Sequence, residues 1–335
     1  MRILITGAGG RIGSALARIL LADDHEVRGF GLESDAGLAD IAEATGLEAH
    51  YGDLGIPESL EPAVAGVDVI CHLAAALTTH DVADDLYVKV NYVGTYNLLE
   101  AARTGAPDIS RFLYTSSDAV YWPALTGRPL YLPIDEHHPL IAGSVYGATK
   151  VGAEAMCRAY WRTYQIPYTV IRPTATAAPT ELLDPNSPFG RRWFLQSAIR
   201  WLDSHPRGPN EDQLLARLQT LDDGKEKLLL LTDNEGASSS TMITDARDVA
   251  RAMALSIFSP DASSDAFNVG PEAPHSDRQL VEALSSALGL EVVEVDYAAV
   301  RPSWYVSSAK ARQVFGYRPE RSVFDMVDEA MAERS

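Results

Sequence analysis

The sequence has 335 residues, 46% of them hydrophobic and 22% charged, which is ordinary for a soluble globular protein. The formal net charge of -18 argues against nucleic acid or an anionic membrane as the main partner, because both carry negative charge. No apolar run approaches the roughly 20 residues that a membrane span requires. Met1–Thr6 leads directly into a glycine-rich turn, unlike a targeting segment, and Cys71 and Cys157 are too few for a disulfide framework. These features predict a cytoplasmic protein that binds neither nucleic acid nor a membrane as its main partner.

Strands and helices alternate along the first 173 residues. Arg2–Thr6 has the apolar character of a strand, and after a glycine-rich turn Ile12, Leu16 and Leu20 recur at helical spacing. The remaining elements of this half are predicted as strands at Glu26–Gly31, Leu47–His50, Val67–Leu73, Arg111–Ser116 and Tyr168–Arg172, and helices at Leu86–Ala102 and Ser144–Tyr164. Such alternation is typical of a doubly wound α/β fold, in which helices cover both faces of a parallel sheet.

The pattern changes after Pro173, where residues 174–240 become rich in proline, glycine, asparagine and charge. The elements predicted beyond this point are helices at Phe194–Leu202, Glu211–Leu221, Ala246–Ile257 and Ser276–Leu288, and a strand at Ala266–Val269. The sequence therefore predicts a core of residues 1–173 and a smaller C-terminal lobe of residues 174–335. Part of the lobe, around residues 241–270, is expected to return to the core.

Three glycines follow the first strand at regular spacing, namely Gly7, Gly10 and Gly13. In a strand–turn–helix unit such glycines let the chain turn sharply, let the backbone approach a pyrophosphate and let the helix pack on the strand. The phosphate lies at the helix N-terminus, where free N–H groups and the helix dipole favour an anion. The turn, which contains Arg11 and Ile12, therefore predicts a dinucleotide-binding site in the core.

Tyr146 and Lys150 are four residues apart on a predicted helix, which places both side chains on one face. A phenol has a pKa near 10, too high for acid–base work at neutral pH. A cation about 4 Å away contributes roughly 4 kcal/mol at an effective dielectric constant of about 20. Lys150 is therefore expected to lower the pKa of Tyr146 by up to about three units, before desolvation opposes it. The phenol would then exchange a proton with a substrate hydroxyl or carbonyl.

Further motifs occur in order along the chain. They are Gly52-Asp53-Leu54, His72-Leu73-Ala74-Ala75, Asn91, Thr115-Ser116-Ser117, Arg172-Pro173, Phe267-Asn268-Val269-Gly270 and Ser308-Ala309-Lys310-Ala311-Arg312. With the glycine turn and the Tyr146/Lys150 pair, they resemble the extended short-chain dehydrogenase/reductase family, whose members include sugar-nucleotide epimerases and dehydratases. The resemblance covers nearly the whole chain and implies a Rossmann fold that binds NAD or NADP.

The resemblance also implies roles for individual residues. Asp53 contacts the adenine, Lys150 holds the nicotinamide ribose, and Ser117 hydrogen-bonds the reacting oxygen, with Ser116 as the alternative. The catalytic set is thus Tyr146, Lys150 and Ser117. The cofactor-binding residues expected in this way are Gly7, Gly10, Arg11, Ile12, Gly13, Asp53, Leu54, Leu73, Ala74, Ala75, Asn91, Ser116, Tyr146, Lys150 and Pro173. The helices at Leu86–Ala102 and Ser144–Tyr164 are the candidates for packing across the axis of a homodimer.

The end of the second strand leaves the choice between NAD and NADP open. An acidic residue there takes the ribose hydroxyls of NAD, whereas basic residues favour NADP. Gly31 stands where the acid is expected, and Glu33 follows two positions later. Arg11 is a candidate to face a 2′-phosphate.

Residues that some members of the family have and this chain lacks limit the possible reactions and ligands. Dehydratases of the family carry Thr-Asp-Glu where this chain has Ser117-Asp118-Ala119, and the missing glutamate disfavours dehydration. Members that bind sugar nucleotides often place an arginine on the diphosphate, and the matching stretch Gly236–Thr241 contains none. His137 and His138 have no partner at metal-ligand spacing, so no metal is expected.

Three functions remain. The first is an NAD(P)-dependent oxidoreductase that transfers a hydride to or from a secondary alcohol or ketone of a sugar-like or polyol-like substrate. The second is an NAD-dependent sugar-nucleotide epimerase, in which the hydride leaves and returns on the opposite face. The third is a non-catalytic protein that senses dinucleotides, which predicts loss of the Tyr/Lys pair that this chain keeps.

Overall fold

A computed structural model describes residues 1–77, 82–123, 127–205, 207–300 and 302–334 of the chain. The strands of these ranges are β1 (Arg2–Thr6), β2 (Glu26–Gly31), β3 (Glu48–Tyr51), β4 (Val69–His72), β5 (Arg111–Thr115), β6 (Tyr168–Pro173), β7 (Ala175–Ala177), β8 (Leu228–Thr232), β9 (Ser240–Thr241), β10 (Ile243–Asp245), β11 (Asp265–Val269), β12 (His275–Ser276) and β13 (Val292–Asp296).

The helices are α1 (Arg11–Ala22), α2 (Ala36–Thr45), α3 (Pro57–Val64), α4 (Asp84–Tyr87), α5 (Gly94–Gly105), α6 (Val145–Tyr164), α7 (Pro179–Leu182), α8 (Gly190–Trp193), α9 (Leu195–Ser204), α10 (Pro209–Leu221), α11 (Ala246–Phe258), α12 (Asp277–Leu288), α13 (Ala309–Phe315) and α14 (Val323–Arg334). A π-helical turn, Val88–Val93, joins α4 to α5, and short 3₁₀ turns lie at Asp118–Tyr121 and Pro260–Ala262. None of the described helices combines the length and the apolar character that crossing a bilayer needs.

Seven strands form one parallel sheet in the order β11-β6-β5-β4-β1-β2-β3. Every residue of β4, β5 and β6 is buried, as expected for strands that helices cover on both faces. β1 lies between β2 and β4, so the order of the strands reverses its direction at β1. The crevice beyond the carboxyl ends of strands at such a point is where open α/β sheets bind their ligands.

Two apolar clusters hold helices against the two faces of this sheet. On one face α1, α2 and α11 pack on the strands, in a cluster that contains Leu16, Met253 and Ile5. On the other face α3, α5 and α6 do so, in a cluster that contains Leu98 and Leu4. Leu4 and Ile5 are neighbours in β1 and point to opposite faces because side chains alternate along a strand. Burial of each such side chain contributes roughly 1.5–3 kcal/mol.

The second half of the chain contributes to this sheet and also forms pairs of its own. β11 is an edge strand beside β6, and α11 packs along α1. β7 pairs with β10, β9 with β12 and β8 with β13. Trp193 and Leu218 belong to two further apolar clusters, built from residues that follow Pro173. The division of the chain into a core and a lobe at residue 173 stays a prediction.

The strands predicted in the first half are confirmed to within two residues. The helix predicted at Leu86–Ala102 is longer, since helical structure continues from Asp84 to Gly105 through the π-helical turn. Helices α2 and α3 were not predicted because they are short, and their signals are capping residues rather than an apolar period. Asp35 accepts a hydrogen bond from the backbone N–H of Leu38 at 3.2 Å to begin α2, and Pro57 begins α3.

Candidate active site

The glycine turn between β1 and α1 is closely packed at two of its three glycines. Gly7 has a φ of +71°, and a Cβ on it would lie 2.9 Å from the backbone nitrogen of Ala74. A Cβ on Gly13 would lie 2.2 Å from the carbonyl oxygen of Gly7, so neither position accepts a side chain. Gly10 is exposed, and a Cβ there would meet only the Gly7 oxygen, at 3.3 Å. The open side of the turn at Gly10 therefore has room for a ligand.

Gly9, which the sequence motif did not include, is as tightly packed as Gly7. A Cβ on Gly9 would lie 2.3 Å from the backbone nitrogen of Leu38 and 2.6 Å from Asp35 Oδ1. The start of α2 therefore packs directly on the turn. The run of adjacent glycines at positions 9 and 10 was the signal that could have indicated this contact.

The first turn of α1 offers backbone donors at the open side. Gly10 begins the helix without a side-chain cap, and the first N–H groups of a helix have no intrahelical acceptor. The N–H groups at Arg11 and Ile12 thus fit the diphosphate of a dinucleotide. The guanidinium of Arg11 is otherwise engaged, because it forms a 2.5 Å ion pair with Glu181 and donates to the carbonyl oxygen of Thr176 at 3.3 Å.

A buried chain of hydrogen bonds links β1, β4 and the π-helical turn. Thr6 Oγ1 accepts from the two backbone N–H groups that follow His72, so its own proton goes to His72 Nδ1 at 2.7 Å. His72 Nε2 then donates to Thr95 Oγ1 at 3.0 Å, and Thr95 donates to the carbonyl oxygen of Asn91 at 2.7 Å. Burial lowers the pKa of His72 to about 3, so the ring is neutral. His72 therefore links β1 and β4 to the π-helical turn as an uncharged ring.

Asn91 holds the segment that leaves β4. Its side-chain oxygen accepts from the backbone N–H of Ala76 at 2.8 Å, and its side-chain nitrogen donates to the carbonyl of Ala76 at 3.0 Å. Both polar atoms of the amide are thus used by the protein. Leu73, Ala74 and Ala75, which precede Ala76, are partly exposed at the carboxyl edge of the sheet. The backbone of these three residues is accordingly positioned to line a cofactor.

Asp53 and Leu54 lie at the same edge of the sheet, beyond β3. Asp53 is exposed, and its carboxylate accepts from the backbone N–H of Gly55 at 2.8 Å. Leu54 is buried, and its carbonyl accepts from Asn97 Nδ2 at 2.8 Å. Pro173 ends β6 at this edge, opposite Val269 of β11. Contacts of Asp53, Leu54 and Pro173 with the cofactor stay predictions.

Ser116 belongs to a buried network at the end of β5. Its hydroxyl donates to Glu154 Oε1 at 2.6 Å, and Arg172 holds the two oxygens of Glu154 at 2.9 and 2.6 Å. Arg172 also donates to the Tyr121 hydroxyl at 2.6 Å, which donates to Asn268 Oδ1 at 2.8 Å. All five residues are buried. We call this set the Glu154 network; the sequence motifs contain Ser116, Arg172 and Asn268 but did not indicate Glu154 or Tyr121.

Ser117 is partly exposed and lies beside Tyr146. Its hydroxyl accepts from the backbone N–H of Ala119 at 3.1 Å and donates to Asp118 Oδ1 at 3.2 Å. The same hydroxyl interacts with the Tyr146 phenol and acts to lower its pKa. Of the two adjacent serines, Ser117 is therefore the one that the structure brings to the tyrosine.

The net pKa shift of Tyr146 is upward, because desolvation outweighs the lowering that was expected from Lys150. Burial raises the pKa of Tyr146 to about 12, and the interaction with Ser117 only partly offsets this. Burial also lowers the pKa of Lys150 to about 7, opposed by the carboxylate of Glu154. Desolvation wins at both positions because a buried group is penalised in its charged form. The ammonium donates to the carbonyl of Thr115 at 2.9 Å, and it lies 5.7 Å from the centroid of the Tyr146 ring.

Comparison with known proteins places this site in a family. Residues 3–270 match the NAD dependent epimerase/dehydratase family. The chain belongs to this family. A short-chain dehydrogenase/reductase superfamily protein from Agrobacterium tumefaciens, solved with bound NAD, has a TM-score of 0.87 and 30% identity over 100% of this chain and 97% of that one. The Thermus thermophilus UDP-glucose 4-epimerase in complex with NAD shares the fold, with a TM-score of 0.71 and 23% identity over 100% of both chains.

Relatives in sequence include enzymes of two kinds. A 2-alkyl-3-oxoalkanoate reductase from Stenotrophomonas maltophilia is 29% identical over 88% of this chain and 78% of its own length. A UDP-glucose 4-epimerase from Halalkalibacterium halodurans is 25% identical over 98% of this chain and 94% of its own length. The protein is thus an enzyme of an NAD-dependent family that contains reductases, epimerases and dehydratases, and the Rossmann fold and the resemblance inferred from the sequence are confirmed.

The two serines give a matched pair of substitutions. Ser117→Ala should lower kcat by about 100-fold, the cost of removing one donor from a reacting oxygen, with little change in stability. Ser116→Ala should lower the free energy of unfolding by roughly 1.5–3 kcal/mol, because it removes a hydrogen bond to the buried Glu154 carboxylate. Steady-state kinetics and urea denaturation of both variants measure these effects. A loss of kcat in Ser116→Ala together with a loss of stability in Ser117→Ala would show that Ser116 is the serine at the reacting oxygen.

Proposed function

We propose that the protein is an oxidoreductase that transfers a hydride between NAD and a secondary alcohol or ketone of a sugar-like or polyol-like substrate. The observation that carries the proposal is the meeting of Ser117 and Tyr146 beside the buried Lys150. This group lies at the carboxyl edge of the sheet, where the glycine turn also lies. A hydroxyl donor and a phenol at one point suit an oxygen that alternates between carbonyl and alcohol.

Each of the three side chains has one task in this reaction. The Ser117 hydroxyl donates to the reacting oxygen and holds it against Tyr146. Because the pKa of Tyr146 is raised to about 12, the phenol keeps its proton at neutral pH and can deliver it to a carbonyl oxygen. Lys150, whose pKa is lowered to about 7, is partly protonated at neutral pH, and its cationic form favours the phenolate that remains. The bound cofactor supplies or accepts the hydride.

Two departures from the family's residue pattern support oxidoreduction, the first against dehydration and the second against a nucleotide-sugar substrate. Ala119 stands where dehydratases of the family have a glutamate, and Gly236–Thr241 lacks the arginine that often binds a diphosphate. The Stenotrophomonas maltophilia relative, which is described as a reductase, supports the same choice. We assign the cofactor to residues 1–173 and the substrate mainly to residues 174–335, which contact each other through the Arg11–Glu181 ion pair.

Epimerisation is the second candidate, and the relatives described as UDP-glucose 4-epimerases favour it. The two candidates differ in the fate of the cofactor. An epimerase recycles its NAD in place and should retain it through purification, whereas an oxidoreductase releases reduced cofactor. Mass spectrometry of nucleotides that co-purify, with titration of NAD and NADP, separates the two.

Tyr146→Phe tests the proposed acid–base residue. This variant should lose about 100-fold to 10,000-fold in kcat, the usual contribution of a positioned general acid or base, and should keep nearly unchanged affinity for NAD. The matched control is Tyr164→Phe, because Tyr164 ends the same helix and is 49% exposed. Absorbance at the reduced-cofactor band and calorimetric titration with NAD give the two readouts. Normal turnover by Tyr146→Phe would show that Tyr146 is not the acid–base residue.

Asp35 supports NAD over NADP as the cofactor. Gly31 ends β2 without a carboxylate, but a Cβ there would lie 2.8 Å from Asp35 Oδ2. The carboxylate of Asp35 thus occupies the place of the missing acid, beside the glycine turn. A carboxylate at this place accepts hydrogen bonds from ribose hydroxyls and repels a 2′-phosphate. Arg11, the candidate for that phosphate, is already paired with Glu181.

Asp35→Ser tests the cofactor preference, since serine keeps the cap of α2 while removing the charge. Affinity for NAD should fall by about tenfold, as expected for loss of a hydrogen bond to a charged group, and affinity for NADP should not fall with it. The matched control is Glu33→Gln, an exposed acid two positions before Asp35. Calorimetric titration of both variants with NAD and with NADP measures these affinities. Weaker NAD binding in Glu33→Gln alone would assign the ribose to Glu33.

We also propose a cytoplasmic homodimer. Exposed apolar side chains cluster on the helical segment from α4 to α5 and at the two ends of α6; they are Leu86, Val88, Tyr92, Val93, Tyr96, Val145 and Tyr164. Such a surface on two neighbouring helices fits a second copy of the same surface. Cys71 and Cys157 are buried free thiols, which suits a reducing compartment.

Tyr96→Glu tests the dimer because it places a charge within this surface. The wild-type protein should sediment as a dimer and Tyr96→Glu as a monomer. Leu130→Glu, at a residue that is 68% exposed and lies outside the two helices, should leave the dimer intact. A monomeric wild-type protein at micromolar concentration would contradict the proposal.

A further inference from the structure

Asp118 is a charged group beside the reacting pair to which the mechanism above gives no task. Asp118 is partly exposed as a residue and directly follows Ser117 at the end of β5. Oδ1 accepts from the Ser117 hydroxyl at 3.2 Å, and Oδ2 accepts from Trp304 Nε1 at 3.2 Å. Its negative charge also acts on Tyr146, whose pKa it helps to raise. Asp118 therefore lies next to both residues that handle the reacting oxygen.

The donor on Oδ2 comes from a part of the chain that the family match does not include. Trp304 lies beyond residue 270, in a segment whose backbone is hydrogen-bonded to two other parts of the chain. Its backbone N–H donates to the carbonyl of Ser240 at 2.8 Å, and the carbonyl of Tyr305 accepts from Ile134 at 3.0 Å. The Trp304 side chain is 6% exposed. These contacts fix the indole N–H on Asp118, so the arrangement joins the matched region to a segment beyond it.

The carboxylate has neutral partners only. Among the residues that the structure describes, no lysine or arginine forms an ion pair with Asp118. The Trp122 indole N–H has no hydrogen-bond partner in good geometry, but it lies close enough to lower the pKa of Asp118. Burial raises this pKa to about 6, against the donors Ser117 and Trp304, so Asp118 is mainly an anion at pH 7. A carboxylate without a counter-ion beside an acid–base pair is typical of a functional site.

The chemistry of a carboxylate limits what it can bind. An ionised carboxyl accepts hydrogen bonds and donates none, so the ligand group must be a donor, and an anionic group would be repelled. Asp118 Oδ1 lies 3.2 Å from the Ser117 hydroxyl, which meets the reacting oxygen. A hydroxyl on the neighbouring carbon is the substrate group whose distance from the reacting oxygen matches this separation.

We propose that Asp118 binds the substrate hydroxyl on the carbon next to the one that is oxidised or reduced, so that the enzyme selects vicinal diols and α-hydroxy ketones. This inference rests on the proposed oxidoreductase function and names its substrate class. Trp304 is a positioning residue, since its indole N–H holds Asp118 Oδ2. When Ser117 turns its single proton from Asp118 Oδ1 to the reacting oxygen, Oδ1 becomes the acceptor for the substrate hydroxyl. A substrate that has no hydroxyl next to the reacting carbon cannot form this hydrogen bond with Asp118.

The first test compares two ketones that differ by one hydroxyl. The full-length enzyme with NADH should reduce 2-hydroxycyclohexanone with a kcat/KM about 10-fold to 100-fold above that of cyclohexanone, the range for a hydrogen bond to a charged group. In Asp118→Ala the ratio should fall close to one, and in Asp118→Asn it should be intermediate because the amide oxygen still accepts. Trp304→Phe should lower the ratio through KM, with thermal melting to check the fold.

The outcomes separate this inference from the proposed function. An unchanged ratio in Asp118→Ala would overturn the assignment of Asp118 while leaving oxidoreduction intact. An equal loss of kcat for both ketones in that variant would place Asp118 in proton transfer instead. Undiminished reduction of both ketones by Tyr146→Phe would overturn the proposed function itself.

A second test needs no turnover. In NAD-loaded Tyr146→Phe labelled with ¹⁵N-tryptophan, trans-1,2-cyclohexanediol should shift the indole resonance that Trp304→Phe removes. Cyclohexanol should shift it at least tenfold less at the same concentration, because it has no second hydroxyl for Asp118. Equal shifts with both ligands, or none with either, would overturn the inference.

Discussion

Glu154 is completely buried, and a carboxylate in such a place is tolerated only where its charge and its lone pairs are met. Arg172 meets the charge with two hydrogen bonds, and Ser116 meets a further lone pair. The three residues lie on α6, on β6 and just beyond β5. Removing one partner of a buried ion pair costs roughly 3–5 kcal/mol, so these elements have one strongly preferred arrangement. Tyr146 on α6 consequently has a fixed position relative to Ser117.

The carboxylate of this ion pair also acts on the Tyr146/Lys150 site. Glu154 lies one helical turn beyond Lys150, and its charge opposes the loss of the Lys150 proton that burial promotes. The site nevertheless buries both members of the Tyr146/Lys150 pair, and desolvation decides the direction of both pKa shifts. A phenol that keeps its proton beside a lysine of pKa about 7 is suited to proton donation at neutral pH. Stability and chemistry therefore depend on one set of buried charges.

The cofactor groove is built in a different way, mostly from backbone. Gly7 and Gly9 bring the glycine turn against β4 and α2, and the chain from Thr6 through His72 to Thr95 holds the strand ends without any charge. The one arginine of the turn, Arg11, is paired with Glu181 in the second half of the chain. The groove can therefore receive an anion on backbone donors while its cationic side chain links it to the part of the chain proposed to bind substrate.

The sequence by itself determined the parallel sheet, the glycine turn and the Tyr146/Lys150 pair, because their signals are apolar periods and short spacings within one strand, turn or helix. Helices whose main sequence signal is a capping residue, such as α2, were not predicted in this way. Only the tertiary structure gave Ser116 its partner Glu154, placed Asp35 in the space beside Gly31 and brought Trp304 to Asp118, 186 residues away. The tertiary structure also decided the directions of the pKa shifts of Tyr146 and Lys150. The physical reason is that burial and hydrogen-bond partners arise from contacts between distant parts of the chain, which local periodicity does not record.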